Sequence, residues 1–323
     1  MRQDVAALAL PDDVRARLDA VCDVPGLVVD DFGRPEARKA LSRTDVLISG
    51  WGCPAVDASV LADAPRLRAV LHAAGSVKHV LTPAVWERGI TVSSAAPANA
   101  APVADYTLAA IHLSAKRAFR TAAEYRAGRP QDLTVSPATG LLDRTVGIVG
   151  ASKIGRLVLE RLAGAGVTLL VHDPYLEAAD ADALGARLVG LDELLTGSDI
   201  VSLHAPLLPE TRNLIDARAL GLLRDGAVLI NTARGGLVDT EALAEHCAAG
   251  RIEAVLDVTE PEPLPPGHLL LTLPHVLVTP HIAGAMGTEV RLLGAFAVAE
   301  TERFAAGERL LGEVRAEDLS RIA

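Results

Sequence analysis

Three short motifs in the second half of the chain carry side chains suited to acid–base chemistry on a 2-keto acid. Each comes at the end of a predicted strand: NTARGGLVD (231–239) with Arg234, LDVTEPEPLP (256–265) with Asp257 and Glu262, and TPHIAGA (279–285) with His281. An arginine fork can hold the carboxylate and carbonyl oxygens of such an acid. A histidine can deliver or take the alcohol proton, and a carboxylate can keep that histidine charged and oriented. Arg234, Glu262 and His281 are therefore the candidate catalytic residues.

Taken singly, each of these residues also fits an ordinary structural role. A histidine near a strand end is more often structural than catalytic. Arg234 fits a helix cap or a surface ion pair, and Glu262 fits a solvated loop. Their order favours a site, because all three fall in consecutive strand-end loops of one predicted sheet, where ligands of open α/β sheets bind.

A second pattern, VGIVGASKIGRLV (146–158), resembles the G-x-G-x-x-G loop that holds a dinucleotide pyrophosphate. A strand precedes it, a helix follows it, and Asp173 ends the next strand 18 residues after Gly155, close to the spacing of a ribose-binding carboxylate. Gly150 and Gly155 keep the first and third glycine positions, whereas Ser152 replaces the second. The hydroxyl of Ser152 can donate to a phosphate oxygen. We expect a modified cofactor site that takes NAD rather than NADP, because the Asp173 carboxylate repels a 2′-phosphate.

The elements that must position these residues alternate between buried strands and amphipathic helices, the rhythm of a parallel sheet. The predicted strands are GLVVD (26–30), DVLISG (45–50), LRAVLH (67–72), TVGIVG (145–150), VTLLVHD (167–173), DIVSLH (199–204), GAVLINT (226–232), IEAVLDV (252–258) and HVLVTP (275–280). The predicted fold class is α/β, with two doubly wound parallel-sheet domains and a cleft between them. One is a Rossmann NAD-binding domain and the other a flavodoxin-like substrate domain.

Two long helical patterns bracket the second group of strands. One covers 99–127 and ends at a Gly-Arg-Pro stop, and the other covers GTEVRLLGAFAVAETERFAAGE (287–308). They suggest that the chain leaves its first domain and later returns to it. We therefore predict a discontinuous substrate domain, 1–98 plus 290–323, and an NAD-binding domain over 99–289.

Bulk composition excludes several classes of protein. The chain has 323 residues, a net charge of −10 and only 3% aromatic residues, which argues against binding nucleic acid. No signal peptide precedes the first acids and no uncharged apolar run reaches a membrane span of about 18 residues. The three cysteines are widely separated and lack metal-ligand spacing, so we expect no metal site and a reduced, cytoplasmic protein.

Together these motifs resemble the D-isomer-specific 2-hydroxyacid dehydrogenase family, and the resemblance covers most of the chain. The matching stretches, in family order, are HAAGSVKHV (72–80), PANAAPVADYTLA (97–109), the glycine loop, HDPY, LHAPLLPETRNLID (203–216), NTARGG, LDVTEPEPLP and TPHIAG. The resemblance implies an NAD-dependent dehydrogenase that interconverts a D-2-hydroxy acid and its 2-keto acid. It also implies a homodimer formed through the cofactor domain.

The resemblance further implies a role for individual residues. It makes Arg234 the substrate-binding arginine and pairs Glu262 with His281, the acid/base. The implied substrate-binding residues are Ala74, Gly75, Ser76, Arg234 and His281. The implied cofactor-binding residues are Gly150, Ser152, Lys153, Ile154, Gly155, Asp173, Ala205, Pro206, Thr211, Thr232, Ala233, Arg234, Asp257, His281 and Ala283.

The chain departs from the family pattern at three positions. Ser152 replaces a glycine, Asp105 stands where a glutamate is usual, and Ser94 stands where an asparagine is frequent. The last two bear on substrate identity, which the sequence leaves open. Two other functions share this fold: a cofactor-sensing, corepressor-like regulatory protein, and oxidation of phosphite or formate. Formate is disfavoured because the formate enzymes pair the histidine with a glutamine, whereas this chain has Glu262.

Overall fold

The computed structural model describes residues 1–129 and 139–320, which divide into two compact units. The first unit combines residues 1–100 with the segment from 285 onward, and the second comprises residues 101–284. The domain boundaries expected from the sequence, after residues 98 and 289, lie two and five residues from this division.

The first unit is built on a small parallel sheet of three strands in the order β1-β2-β3. Its amino-terminal elements are α1 (Gln3–Ala9), α2 (Asp12–Asp19), α3 (Pro35–Leu41), β1 (Val46–Ser49), α4 (Ala58–Asp63), β2 (Ala69–His72), α5 (Ala84–Glu87) and β3 (Thr91–Ser94). The central strand, β2, is buried along its whole length. The predicted strands over 45–50 and 67–72 are thereby confirmed as β1 and β2.

The predicted strand over 26–30 is wrong. This segment has no regular structure, and Leu27 is 45% exposed. The carbonyl oxygen of Val29 accepts a hydrogen bond from the Met1 amine at 3.1 Å instead of pairing with a neighbouring strand. The apolar run packs locally, with Val28 against Met1, so hydrophobic residues alone did not specify a strand here.

Two helices follow β3 where the sequence pattern predicts one: α6 (Ala96–Ala115) and α7 (Ala118–Arg126). They are divided at Arg117, whose backbone is left-handed, with φ at 52°. The Arg117 guanidinium donates to the carbonyl oxygen of Gly226 at 2.5 Å and pairs with Glu253 at 3.2 Å. These contacts favour a break that periodicity does not reveal, because a non-glycine residue in this conformation cannot continue a helix.

The second unit holds a seven-stranded parallel sheet in the order β10-β9-β8-β7-β4-β5-β6. Its elements after α7 are β4 (Thr145–Val149), α8 (Lys153–Leu162), β5 (Thr168–His172), α9 (Ala178–Ala183), β6 (Arg187–Leu188), α10 (Leu191–Gly197), β7 (Ile200–Leu203), α11 (Ala217–Leu222), β8 (Val228–Asn231), α12 (Thr240–Ala248), β9 (Glu253–Leu256) and β10 (Val276–Val278). All six strands predicted for this half are present. The two-residue edge strand β6 is additional. This order, with its reversal between β4 and β7, is that of a Rossmann sheet.

Alternate residues of these strands pack into two separate apolar clusters. On β8, Leu229 belongs to one cluster, and Val228 and Ile230 belong to the other. On β4, Val149 and Ile148 divide in the same way. Successive side chains of a strand point to opposite faces, so both faces of the sheet are covered and the strands read as continuous apolar runs. The predicted α/β class with parallel sheets is confirmed.

The chain completes the first unit with α13 (Val290–Ala306), which a short 3₁₀ turn, Gly287–Glu289, precedes. This helix confirms the second long helical pattern and packs against α1 and α2. Across residues 1–129 and 139–320, no helix combines the length and the apolar composition needed to cross a membrane.

Candidate active site

The glycine loop after β4 has the tight geometry that a cofactor loop requires. Gly150 has φ at 97°, a conformation that side chains rarely adopt, and a Cβ there would lie 2.5 Å from the amide nitrogen of Ala205. A Cβ at Gly155 would collide with the carbonyl oxygen of Gly150. Both glycines therefore perform the packing roles expected of the first and third positions.

Ser152 begins the helix that follows this loop. It is the N-cap of α8, and its Oγ accepts a hydrogen bond from the amide of Gly155 at 3.3 Å. The hydroxyl proton stays available to a phosphate oxygen, since a serine hydroxyl both accepts and donates. Lys153 and Ile154 open the helix, where backbone amides lack intrahelical partners and the helix dipole favours an anion. The residues present thus fit the pyrophosphate of a dinucleotide.

Asp173, directly after β5, is joined to the same loop. One carboxylate oxygen accepts from the Ala151 amide at 2.7 Å, and the other accepts from the Tyr175 amide at 2.8 Å. A carboxylate has about four acceptor positions, so two further donors can be received. Ribose hydroxyls are donors of this kind, whereas a 2′-phosphate would bring a second anion to the same place.

The loop after β7 carries the next predicted cofactor contacts, Ala205 and Pro206. Thr211 fixes this loop from within: its hydroxyl donates to the carbonyl oxygen of Pro206 at 2.6 Å and accepts from the Leu208 amide at 2.8 Å. Behind the loop, His204 is buried and its Nε2 contacts Ser202 Oγ at 2.9 Å. Burial lowers the pKa of His204 to about 3, so its ring is neutral and structural.

The loop after β8 places Arg234 through Asn231, the last residue of the strand. The Asn231 side chain accepts from the Ala233 amide at 3.1 Å and donates to the Arg234 carbonyl oxygen at 2.8 Å. Thr232 contacts Thr107 of α6, with 2.8 Å between the hydroxyl oxygens. The side chains of Asn231 and Thr232 therefore hold this short loop in place, which fixes the backbone position of Arg234.

His281, Glu262 and Arg234 come together at this edge of the sheet. His281 Nδ1 lies 2.8 Å from Glu262 Oε1. The two side chains are 50% and 42% exposed, so both can be reached by a small molecule. Burial lowers the pKa of Arg234, and the negative charge of Glu262 acts in the opposite direction. The Glu262 carboxylate thus contacts His281 directly and acts on Arg234 through its charge, an arrangement that suits acid–base chemistry on an anion.

Asp257 lies behind this group and is almost completely buried. Its carboxylate accepts from the amides of Ile282 and Ala283, each at 2.8 Å, and from Thr279 Oγ1 at 2.7 Å. The sequence assigned Asp257 and Ala283 to the cofactor. In the structure Asp257 also holds the loop that carries His281.

In the first unit, Ala74, Gly75 and Ser76 follow β2. A Cβ built on Gly75 would lie 3.6 Å from Asn99 Nδ2, and the other side-chain atom, Asn99 Oδ1, accepts from the Ala285 amide at 2.8 Å. Ala74 is buried, and its carbonyl oxygen accepts from the Ala95 amide at 3.0 Å. Asn99 therefore borders the predicted carboxylate loop, a position that sequence reasoning did not single out.

At two of the positions that depart from the family pattern, Asp105 and Ser94, the structure shows which groups the residue contacts. Asp105 is exposed on α6 and forms an ion pair with Arg161 at 2.6 Å. Ser94 ends β3, is buried, and donates its backbone amide to the Gly312 carbonyl oxygen at 2.9 Å. The Ser94 hydroxyl oxygen accepts from the Ala96 amide at 3.5 Å, so both side chains interact within their own unit.

The structure adds contacts that the motifs did not suggest, from Asn231, Thr279, Tyr106 and Thr107. Asn231 lies in the NTARGGLVD motif and Thr279 in the TPHIAGA motif, so their positions at strand ends could have predicted that they contact the site. Tyr106 and Thr107 lie in a helix that sequence reasoning left without a functional role. Among the described residues, no three His, Cys, Asp or Glu side chains gather as metal ligands.

Comparison with known proteins places these features in a family. Residues 108–283 match the family model described as D-isomer specific 2-hydroxyacid dehydrogenase, NAD binding domain. A D-3-phosphoglycerate dehydrogenase from Mycobacterium bovis is 37% identical over 282 residues, which cover 87% of this chain and 53% of that protein. A glyoxylate reductase from Thermofilum pendens is 34% identical, and the match covers 85% of this chain and 83% of that protein. The crystal structure of D-mandelate dehydrogenase from Rhodotorula graminis matches with a TM-score of 0.79 at 25% identity, covering 94% of each chain.

The chain spans about half the length of the phosphoglycerate dehydrogenases that it matches. The family model covers more than half of the chain, and its NAD-binding domain includes the glycine loop, Asp173, Arg234 and His281. The match to an NAD-binding domain confirms the prediction of NAD as the cofactor. The chain belongs to the D-isomer specific 2-hydroxyacid dehydrogenase family.

Proposed function

We propose that this chain is an NAD-dependent oxidoreductase that interconverts a D-2-hydroxy acid and its 2-keto acid, with His281 as the acid/base. The observation that carries the proposal is the 2.8 Å contact between His281 Nδ1 and Glu262 Oε1, in a strand-end cluster with Arg234. A carboxylate only accepts hydrogen bonds, so Nδ1 carries a proton and Nε2 is the nitrogen that can exchange one with substrate.

Bound NADH supplies the hydride that reduces the carbonyl carbon, and the residues of the chain do the rest. The imidazolium form of His281 donates the Nε2 proton to the carbonyl oxygen as that oxygen gains charge. Glu262 stabilises the imidazolium and fixes the orientation of the ring. In the oxidative direction the neutral ring accepts the hydroxyl proton through the same nitrogen.

Arg234 is proposed to bind the substrate anion. Its guanidinium offers several N–H donors in one plane, which match the carboxylate and the carbonyl oxygen of a 2-keto acid. Burial lowers the pKa of Arg234 but leaves the group cationic at neutral pH, because an arginine begins so far above neutrality. The amides of Ala74, Gly75 and Ser76 are proposed as further donors to the substrate carboxylate.

The proposed function includes a discontinuous domain arrangement. We propose that residues 1–98 and 290–323 form the substrate domain and that 99–289 form the NAD-binding domain. The matched NAD-binding segment, residues 108–283, lies within the latter. Separate expression of residues 99–289 tests this assignment, because that piece should bind NADH without reducing any keto acid.

A screen of 2-keto acids with NADH tests the proposed reaction. It should include glyoxylate, hydroxypyruvate and its 3-phosphate, pyruvate, and branched and aromatic keto acids. Glyoxylate is included because a similar protein is named glyoxylate reductase, and the phosphorylated acid because it is the keto form of the phosphoglycerate for which other similar proteins are named. We expect turnover with at least one keto acid and formation of the D-hydroxy product. Phosphite oxidation without keto-acid reduction, or NADH binding without any turnover, would contradict the proposal.

We also propose that the protein is a cytoplasmic homodimer that binds neither nucleic acid nor membrane. The three cysteines are free thiols, and burial raises the pKa of Cys247 to about 12, which keeps it protonated and unreactive. Light scattering during gel filtration checks the dimer: a mass near 67 kDa, about twice the 33.7 kDa of one chain, is expected. A mass of one chain at micromolar concentration would rule it out.

A further inference from the structure

Tyr106, on α6, is connected to the loop of His281 by a chain of hydrogen bonds. Its hydroxyl lies 2.8 Å from Thr279 Oγ1, and Thr279 Oγ1 donates to Asp257 Oδ1 at 2.7 Å. A threonine hydroxyl has one proton, and an ionised carboxylate has none to give. The Thr279 proton is therefore directed to Asp257, and Tyr106 is the donor in its contact with Thr279.

Asp257 transmits this connection to the backbone of the histidine and of the two residues that follow it. Its carboxylate accepts from the Ile282 and Ala283 amides, and its carbonyl oxygen accepts from the His281 amide at 2.9 Å. His281 itself has φ at 56°, in the left-handed region. A non-glycine residue persists there only when its surroundings over-determine the conformation. The hydrogen bonds to Asp257 hold the backbone of His281 in this conformation.

The next residue of α6 contacts the other loop of the site. Thr107 Oγ1 donates to the carbonyl oxygen of Val103 at 2.8 Å, so in its 2.8 Å contact with Thr232 it is the acceptor. Thr232 stands two residues before Arg234. One turn of α6 therefore touches the loop that carries the arginine and the loop that carries the histidine.

We propose that Tyr106 is a positioning residue for His281, acting through Thr279 and Asp257. The phenol is half-buried. Burial raises the pKa of Tyr106 by more than the hydrogen bond with Thr279 lowers it, and the charge of Asp257 raises it further. The hydroxyl therefore stays protonated at neutral pH and remains a donor. The proposal rests on the proposed function in one respect, because a kinetic effect is expected only if His281 is the acid/base.

The first test is Tyr106→Phe, which removes the donor and keeps the ring. Loss of one hydrogen bond of ordinary strength should lower kcat for keto-acid reduction between about twofold and tenfold. The KM for NADH should change less than kcat, since Tyr106 acts through Asp257 on the loop of the proton donor. Thr279→Val should have a similar effect, and Thr279→Ser, which keeps the hydroxyl, should retain most activity. The double variant Tyr106→Phe/Thr279→Val should lose no more than the stronger single one, because both break the same chain of contacts.

A second measurement does not depend on turnover. In protein labelled with ¹³C at the histidine Cε1, the His281 ring signal can be assigned by its absence in His281→Gln. Tyr106→Phe should shift or broaden this signal and leave that of exposed His79 in place. Tyr125→Phe is the matched control, because Tyr125 is 79% exposed on α7.

The two measurements separate failure of this proposal from failure of the proposed reaction. If no keto acid is reduced, the ring signal alone decides whether Tyr106 positions His281. If Tyr106→Phe leaves both kcat and the ring signal at wild-type values, the positioning role is wrong. The role is also wrong if Tyr106→Phe lowers the residual activity of His281→Gln by the same factor as that of the wild type, because Tyr106 would then act elsewhere.

Discussion

Asp173 Oδ2 accepts a hydrogen bond of 2.7 Å from the backbone amide of Ala151, so the acid that follows β5 is tied to the glycine loop that follows β4. The same carboxylate that would receive the ribose hydroxyls also supports the loop that would bind the pyrophosphate. A change at Asp173 therefore acts on cofactor choice and on the loop together.

We predict that the protein binds NADH well and NADPH poorly. Asp173→Asn should narrow the difference in Kd between the two cofactors by roughly tenfold or more, because the carboxylate charge that repels a 2′-phosphate is removed. Titration of intrinsic fluorescence with each cofactor measures this. Asp180→Asn, an exposed position on α9, is the control. Equal affinity of the unchanged protein for both cofactors would contradict the prediction.

His281→Gln should lower kcat by roughly 10²- to 10⁴-fold because the proton donor is lost, while NADH binding changes little. Reduction needs the protonated ring and oxidation needs the neutral ring, so the two directions should respond to rising pH in opposite ways. Glu262→Gln should keep only part of the reductive activity, because the imidazolium lacks its counter-charge. Stopped-flow rates over a pH series provide the measurement. Near-normal turnover of His281→Gln would show that another group moves the proton.

Arg234→Lys should fail mainly in substrate capture. A point ammonium cannot reproduce the bidentate fork, so KM for the keto acid should rise about 10- to 100-fold with a smaller change in kcat. Arg212→Lys is a matched control, since Arg212 is an exposed arginine paired with Glu260 at 2.8 Å. Steady-state kinetics with the best keto acid decide the matter. An unchanged KM in Arg234→Lys would remove Arg234 from the substrate site.

The first unit should lose stability in mild acid because of His72. Burial lowers the pKa of His72 to about 4, and its Nδ1 contacts Ser49 Oγ at 2.9 Å. The unfolded chain takes up a proton near pH 6.5, whereas the folded chain does so only near pH 4. Stability is therefore full above pH 6.5 and is lost as pH falls towards 4, by about 2 kcal/mol between pH 7 and pH 5.

Urea unfolding followed by tryptophan fluorescence measures this loss, because both tryptophans, Trp51 and Trp86, lie in the first unit. His72→Gln should flatten the pH dependence, and exposed His79→Gln should not. The same slope in all three proteins would assign the acid sensitivity to other groups.

Glu300, buried on α13, should be important for the stability of the first unit. Its carboxylate accepts from Ser93 Oγ at 2.6 Å and from the amides of Leu311 and Gly312 at 3.1 and 2.9 Å. Glu300→Gln places an amide donor among these donors and should lower the free energy of unfolding by about 2–4 kcal/mol. Glu302→Gln, which breaks a partly exposed pair with Arg17, should cost under about 1 kcal/mol. Equal effects of the two substitutions on urea unfolding would contradict this account.

The sequence by itself determined the Rossmann half of the molecule to a large extent. Six apolar runs became six strands because strands buried on both faces need nearly continuous Val, Ile and Leu. The positions of Arg234, Glu262 and His281 followed from topology, since the carboxyl ends of parallel strands lie at one edge of the sheet. The roles of Gly150 and Gly155 followed from spacing, because only glycine fits where one backbone passes closely over another.

The tertiary structure alone decided features that depend on partners distant in sequence. The segment 26–30 has strand-like residues, but Val29 pairs with the Met1 amine and no strand forms there. The helix predicted over 99–127 is interrupted at Arg117, whose partners, Gly226 and Glu253, lie more than 100 residues away. The local sequence pattern specifies which residues prefer burial and which backbone conformation is low in free energy. It does not specify which distant atoms will meet, and a few hydrogen bonds to such atoms are enough to override a propensity difference of about 1 kcal/mol. The contact of Tyr106 with Thr279 is of the same kind: both residues are visible in the sequence, and only the packing of α6 against the end of β10 brings their hydroxyls to 2.8 Å.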